Sequence, residues 1–449
     1  MMRGASNTVT EACHATGTVQ HAVSSNPLAT LRRHRDFRRL WISALISDLG
    51  TWMQAVTVSV LVASTSKSSG ATALVFSSLF IPQALISPFG GLVADRFDRR
   101  HVAIAMQWTQ AVIAGVLALV IHLGVRSPFA LAGIVLVQGC ASAMSNPAFG
   151  AMIPLLVPRE ELLGALSLSG MTWNTGRAIG PALAAVTTAI WGPAASVTGN
   201  AISFVLMALV LLTIKRSLHG GGTVRLRNAH SEITKAARLA ARTPGPRTMM
   251  ISTSFLQLCV ATTFSTVPTF AASVNDWQRL PMLLYIGMGV GALLGAFTVA
   301  PLTNRIGRSR VLTLFPSIAA VSMILAASAG STVLAIVALF VFGMSSPVSF
   351  IAFGAVVQRD APEAHRGRIL SIYSAVVGLC FGGFSIAGGY IADGLLGLRN
   401  TYRTSGILLL ALIVLVQVFW PGWRRTVNGT DPEPFWRPGT LLHRKHRTG

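Results

Sequence analysis

The chain has 449 residues, of which 11% are charged and 52% are hydrophobic, with 42 glycines besides. Soluble domains carry about 25% charged residues, so this chain lacks the ions to coat one or several water-soluble globules, and its mean hydropathy of +0.60 is that of a membrane protein. The 36 Lys and Arg outnumber the 14 Asp and Glu by 22, an excess that nucleic-acid binding, a basic tail or charge sorted across a bilayer would each explain.

The first 30 residues are polar and contain no apolar run. A secretory leader needs a positive start followed promptly by an apolar stretch, so this segment reads as disordered cytoplasmic polypeptide. Residues 1–39 form a tail that ends in the basic segment Leu31–Arg39. From Leu40 onward, twelve apolar spans follow at about 40–63, 71–94, 101–124, 129–157, 163–191, 194–214, 248–274, 280–302, 311–330, 332–357, 369–394 and 403–420. Each reaches the roughly 20 residues that cross a bilayer core as a helix. Pro82, Pro147, Pro181, Pro268 and Pro347 fall inside spans, where membrane helices tolerate them because neighbours satisfy the freed backbone. The predicted fold is an all-α membrane protein of two six-helix halves, 40–214 and 248–420, joined by a linker at 215–247 and closed by a tail at 421–449.

With the amino terminus in the cytoplasm, 30 of the 36 basic residues lie on that side and five on the other, Arg177 alone falling within a span. This asymmetry is the positive-inside signal. It places both termini in the cytoplasm and turns the net charge into topology. Nucleic-acid binding calls for a folded basic module, and no polar segment exceeds about 35 residues, so no nucleic acid is expected as a partner. Four Lys against 32 Arg fit a high-GC bacterial source, hence a plasma or inner membrane. In the linker, Ser231–Arg242 reads as a helix capped by Ser231 and stopped at Thr243-Pro244-Gly245. Its Lys235, Arg238 and Arg242 share one face, which suits either anionic headgroups or a solvated connector. The four cysteines and ten histidines show no ligand spacing, so no metal or cofactor is expected.

The sequence repeats itself. Asp95-Arg96-Phe97-Asp98-Arg99-Arg100 after the second span corresponds to Asn304-Arg305-Ile306-Gly307-Arg308-Ser309 after the eighth, and Ala148-Phe149-Gly150-Ala151 to Ala352-Phe353-Gly354-Ala355. Repeated halves about a central axis are a transporter architecture.

Gly91, Asp95, Arg96, Arg99 and Arg100 match the loop signature G-x-x-x-D-R-x-G-R-R/K, with Asp98 where glycine is usual; the second copy keeps Arg305, Gly307 and Arg308 but has Asn304 for the acid. With twelve spans around it, the chain resembles the major facilitator superfamily over nearly its whole length. Phe37-Arg38-Arg39-Leu40-Trp41, Ser47–Gln54 and Arg366-Gly367-Arg368 resemble its branch of transmembrane secretion effectors, enterobactin-exporter-like proteins and macrolide efflux proteins. The resemblance implies that the loop acid pairs with arginines and holds one conformation until the pair breaks. Gly176, Gly180 and Pro181 resemble the antiporter signature G-x-x-x-G-P-x-x-G-G, though Ala184 and Ala185 replace its closing glycines; ordinary close packing of helices is the competing reading. Gly287, Gly291 and Gly295, and Gly378 and Gly382, repeat that spacing and read as packing surfaces.

Asp48 and Arg177 are the two full charges well inside spans. A central charge costs about 2.5–3.5 kcal/mol on insertion scales, so each is expected to face a cavity or a partner. Asp48 exchanges a proton or engages a cationic substrate, with Arg177 as its counter-charge, unless the two form a static buried pair. Gln54, Gln83, Asn146, Asn174 and Gln257 are further substrate or coupling candidates, beside Gln107, Gln110, Gln138 and Asn200, and Trp52, Trp108, Trp173, Phe149 and Phe264 offer aromatic walls. The resulting expectation is a monomeric transporter rather than an enzyme: a proton-driven exporter of an amphipathic small molecule such as a drug or siderophore. No phosphate-binding loop of the G-x-x-x-x-G-K type is present for an ATP-driven pump. An importer of a polar nutrient would want more charges in its cavity, and a non-transporting sensor or scaffold would want a sizeable soluble domain.

Overall fold

The computed structural model describes residues 27–214, 229–275, 279–362, 366–419 and Trp423. Among these residues the regular structure is helical, with no strand. A short helix α1 (Pro27–Arg33) precedes the first half, which is built of α2 (Arg35–Ser66), α3 (Ser69–Arg96), α4 (Arg99–His122), α5 (Pro128–Leu156) and α6 (Leu162–Thr213). After α7 (Ala229–Arg242) come α8 (Pro244–Val274), α9 (Leu280–Ile306), α10 (Arg308–Ala327), α11 (Thr332–Asp360), α12 (Arg366–Gly394) and α13 (Leu398–Phe419), the second half. Eleven of these helices are long and apolar enough to cross a membrane.

The twelfth crossing lies within α6, whose 52 residues are more than twice what a bilayer needs. Its contacts with α2 show that it doubles back. Trp41 donates to the Leu168 carbonyl at 2.8 Å, Gly176 packs on the backbone of Asp48 and Gly180 on Trp52, so the two chains climb together. Beyond Gly192 the order reverses: Thr57 and Ser196 are hydrogen-bonded at 2.8 Å, and Asn200 donates to Gln54 at 2.7 Å. Gly192 makes the turn at φ 83°, ψ 172°, a backbone state open to glycine because it has no Cβ, and Pro193 opens the returning arm.

Helix ends follow from local chemistry. Ser68, Ser127 and Ser331 each accept a hydrogen bond from the third residue onward, capping α3, α5 and α11. The two repeat-related turns are made differently. Gly307 separates α9 from α10 at φ 83°, whereas Asp98 at the matching position keeps φ −61° and caps α4 by accepting from the Arg100 amide at 2.8 Å. The loss of the usual glycine is therefore a change of capping device. Pro147, Pro181, Pro268 and Pro347 all sit inside helices that continue past them.

Two segments depart from expectation. Residues 27–33, expected in a disordered tail, form α1; Leu31 packs on the buried cluster of Phe37 and Leu40, and Arg33 and His34 reach Glu161 at 3.2 and 3.3 Å. The Thr30 hydroxyl, with Arg33 and His34, holds the Glu161 carboxyl below the usual glutamate range. That contribution is present above the ordinary range and fades as pH falls through the lowered value. In the linker, α7 begins at Ala229, so Ser231 lies inside the helix instead of capping it. Thr243 supplies the break before α8; Lys235, Arg238 and Arg242 are exposed while Ala240 is buried. Tail residues 1–26 and 424–449 and linker residues 215–228 lie outside the described part.

The halves meet through small residues. A Cβ on Gly289 of α9 would stand 2.5 Å from the Ala178 Cα of α6, and one on Gly382 of α12 would collide with the Ile81 side chain of α3. Gly291 and Gly295 bring α9 equally close to α11. Gly291, Gly295 and Gly382 thus sit at tight helix contacts, while Gly287 has more room, and Gly176 and Gly180 press against α2. In a bilayer such close approach supplies the van der Waals contact that water-driven burial supplies elsewhere.

Candidate functional site

A cavity of about 310 Å³ lies inside the first half, with all six of its spans contributing walls. It begins near Phe37, Leu40 and Trp41, at the end of the bundle where the chain enters, and reaches Asp48 on α2. Its polar wall is neutral apart from Asp48: Gln83 on α3, Gln107 and Gln110 on α4, Ser142 and Asn146 on α5 and Thr172 on α6. Phe80, Phe149 and Trp173 supply the aromatic wall. The volume is at the lower end of small-molecule sites.

Asp48 faces the Thr172 hydroxyl, which also donates to the Ser169 carbonyl at 2.9 Å. A hydroxyl has one proton. Here it goes to Ser169, and an ionised Asp48 would compete for it.

The expected Asp48–Arg177 pair does not form. Gly176, the residue beside Arg177, packs on the Asp48 backbone, but the Arg177 side chain leaves in another direction. Its Nη2 donates to Asn174 Oδ1 at 3.2 Å, and its guanidinium carbon stands 5.6 Å from the centroid of the Phe264 ring on α8. The reason is helix rotation: five residues apart on α6, the Thr172 and Arg177 side chains leave the helix in different directions.

The other candidates divide in the same way. Gln83, Gln107, Gln110 and Asn146 line the cavity, with Gln83 donating to Ser142 at 2.8 Å and accepting from Asn146 at 2.8 Å. Gln54 instead belongs to a buried ladder: it donates to Gln138 Oε1 at 2.8 Å and accepts from Asn200 at 2.7 Å, tying α2, α5 and the returning arm of α6. Gln257 reaches the Val377 carbonyl at 3.4 Å between α8 and α12. Trp108 is 42% exposed and does not line this cavity. Gln54→Leu is expected to strand the Gln138 and Asn200 amides and lower stability by about 1–2 kcal/mol. The thermal midpoint of the detergent-solubilised variant checks this, with a fall of several degrees expected.

At the cavity's aromatic wall, rings from both halves pack together. Trp52 lies 5.3 Å from Trp173, 6.0 Å from Phe80 and 5.9 Å from Phe264, and Phe80 lies 5.1 Å from Phe381 of α12. At the far end, Asp393 of α12 accepts from Ser68 Oγ at 2.5 Å and from the Ser69 and Gly70 amides at 2.7 and 2.8 Å. A carboxylate of one half thus caps the N-terminus of α3 in the other, where the helix dipole favours it. Nearby, Ser69 bonds Thr269 at 3.0 Å. Sequence reading passes over Asp393 because it ends a span and resembles polar flank; it also misses Thr172, Ser142 and Phe80, single residues without a motif.

The loop motif does local work in the first half. Arg100 donates to the Leu211 and Leu212 carbonyls, both at 2.8 Å, stabilising the C-terminus of α6, and Arg99 donates to the Ala151 carbonyl at 3.0 Å, tying α4 to α5. Arg96 stacks over Phe97. In the second copy, Asn304 and Arg305 are exposed, and Arg308 opens α10. The side chain of Asp95 and the packing around Gly91 lie outside the described part, as do the side chains of 366–368.

Two six-helix halves meeting at an aromatic cluster, with a polar cavity on one side of it and the Asp393 contact between the halves on the other, form a polytopic membrane protein of transporter architecture. The chain belongs to the major facilitator superfamily: the transmembrane secretion effector family model matches residues 25–438. It is 25% identical over 413 residues to the uncharacterized MFS-type transporter YfiS of Bacillus subtilis, covering 86% of this chain and 94% of that one. It is 24% identical to the enterobactin exporter EntS of Salmonella typhi (87% and 94% covered) and 21% identical to macrolide efflux protein A of Streptococcus pyogenes (78% and 88%). Its fold is similar to that of a mutant of the nucleoside transporter NupG (TM-score 0.70, 14% identity, 87% and 99% covered) and of a D-xylose-proton symporter (0.68, 17%, 86% and 98%).

Proposed function

We propose that the chain is a proton-driven exporter of an amphipathic small molecule, working by alternating access from the cytoplasm. One observation carries this reading: a single carboxyl, Asp48, in a cavity of otherwise neutral amides, hydroxyls and aromatic rings. Such walls suit a partly apolar molecule held by a few hydrogen bonds. A lone acid among neutral groups can take up and release a proton within the cavity, with the Thr172 hydroxyl beside it. The aromatic layer and the Asp393 cap close the end away from the termini, which with cytoplasmic termini makes this the loading state. Relatives named for macrolide efflux and enterobactin export support export over import.

The test is accumulation of a panel of labelled drugs and siderophores in cells with and without the gene, with and without a protonophore. Substrate that builds up only when the gene is missing, or when the proton gradient is dissipated, is the expected result. Gene-dependent uptake, or export indifferent to the protonophore, overturns the reading.

A further inference from the structure

We propose that Arg177 is a subsite for an anionic group of the transported molecule, lying between the halves and separate from the Asp48 cavity. Trp173 lines the cavity, and Arg177 is four residues further along α6, on the same helix face one turn away. A molecule resting on Trp173 therefore meets the guanidinium next. Among the described residues Arg177 forms no ion pair with a carboxylate. Its Nε is buried without a partner, Asn174 takes one bond at 3.2 Å, and the Phe264 ring 5.6 Å away offers only its face. The side chain as a whole is partly exposed.

An amide oxygen and a ring face leave most of the five guanidinium donors unused, and an unpaired cation at membrane depth is costly. Paired donors in a planar fork match carboxylate or phosphate oxygens better than any neutral acceptor. Phe264 and Trp173 belong to the ring layer joining the halves, Trp52 standing 5.9 and 5.3 Å from them. The subsite is thus built for an acid carried on an apolar or aromatic body. Its walls belong to α6 and α8, one from each half, so an anion held there touches both halves at once.

Arg177 has this role only if the chain carries small molecules, as proposed above; the test reads binding and needs no transport. Quenching of tryptophan fluorescence in the purified, detergent-solubilised full chain is titrated with 2-naphthoate and with its uncharged methyl ester, for wild type, Arg177→Gln and Arg177→Lys. The expected result is tighter binding of the acid by wild type. Arg177→Gln should weaken the acid at least about tenfold, equivalent to about 1.4 kcal/mol, and leave the ester within about twofold. Arg177→Lys should keep part of the preference. Retained ester binding shows that the variant is folded. Equal binding of acid and ester by wild type overturns the assignment, as does no binding of the acid. Equal loss of both ligands in Arg177→Gln overturns it too, and makes Arg177 a clamp on Phe264. Acid-selective binding in a chain that fails the accumulation test would leave the subsite standing and the export reading fallen.

Discussion

Asp48→Asn is expected to cut gradient-driven efflux by at least about tenfold while membrane insertion and substrate binding persist. The amide has the shape of the carboxyl and can still meet the Thr172 hydroxyl, so the cavity keeps its form. It has no proton to take up or release. Removing an ionisable group from membrane depth also removes a cost of about 2.5–3.5 kcal/mol when it is charged, so yield and thermal midpoint should stay level or rise. Proteoliposomes with an imposed pH gradient measure the loss, and substrate counterflow without a gradient shows whether the carrier still cycles. Asp48→Glu, which keeps a titratable group on a longer arm, should fall between. Undiminished efflux by Asp48→Asn would show that the proton is carried elsewhere.

The second large effect is expected at Asp393. Its carboxylate holds Ser68, Ser69 and Gly70 across the junction of the halves at 2.5–2.8 Å. Charge-assisted bonds are worth about 1.5–3 kcal/mol each when buried, but this end is exposed to water, so the set is worth about 1–2 kcal/mol. Asp393→Ala should move the balance between closed and open states of that end by about five- to thirtyfold. Spin labels on Lys67 and Leu395, both at that end and outside the contact, read the change as a longer distance population in a cysteine-free background. Asp393→Asn keeps one acceptor oxygen and should give a smaller shift. An unchanged distance distribution in Asp393→Ala would remove the latch.

Arg177 and Asp393 show where reading the chain alone stops. Arg177 stands out in the sequence as a cation at membrane depth, and Asp48 looks like its partner because those two charges stand out together. The helix brings their backbones close and sends their side chains apart. Asp393 draws no notice, since a carboxylate at the end of a span is ordinary flank until the helix it caps is known. The amide candidates divide between the cavity and a structural ladder, and nothing in their local sequence distinguishes Gln83 from Gln54.

What the sequence determined by itself is what a residue's own solvent decides. Twelve apolar stretches and a repeat of two halves follow from the cost of placing each group in lipid or water, which hardly depends on distant residues. The family followed from motifs that are contiguous. The tertiary structure alone decided which way each helix is turned about its axis and which helix end meets which carboxylate. Those choices rest on close packing at Gly176, Gly289 and Gly382, contacts between residues far apart in the chain, and they set which polar side chains share the cavity and which lock the halves.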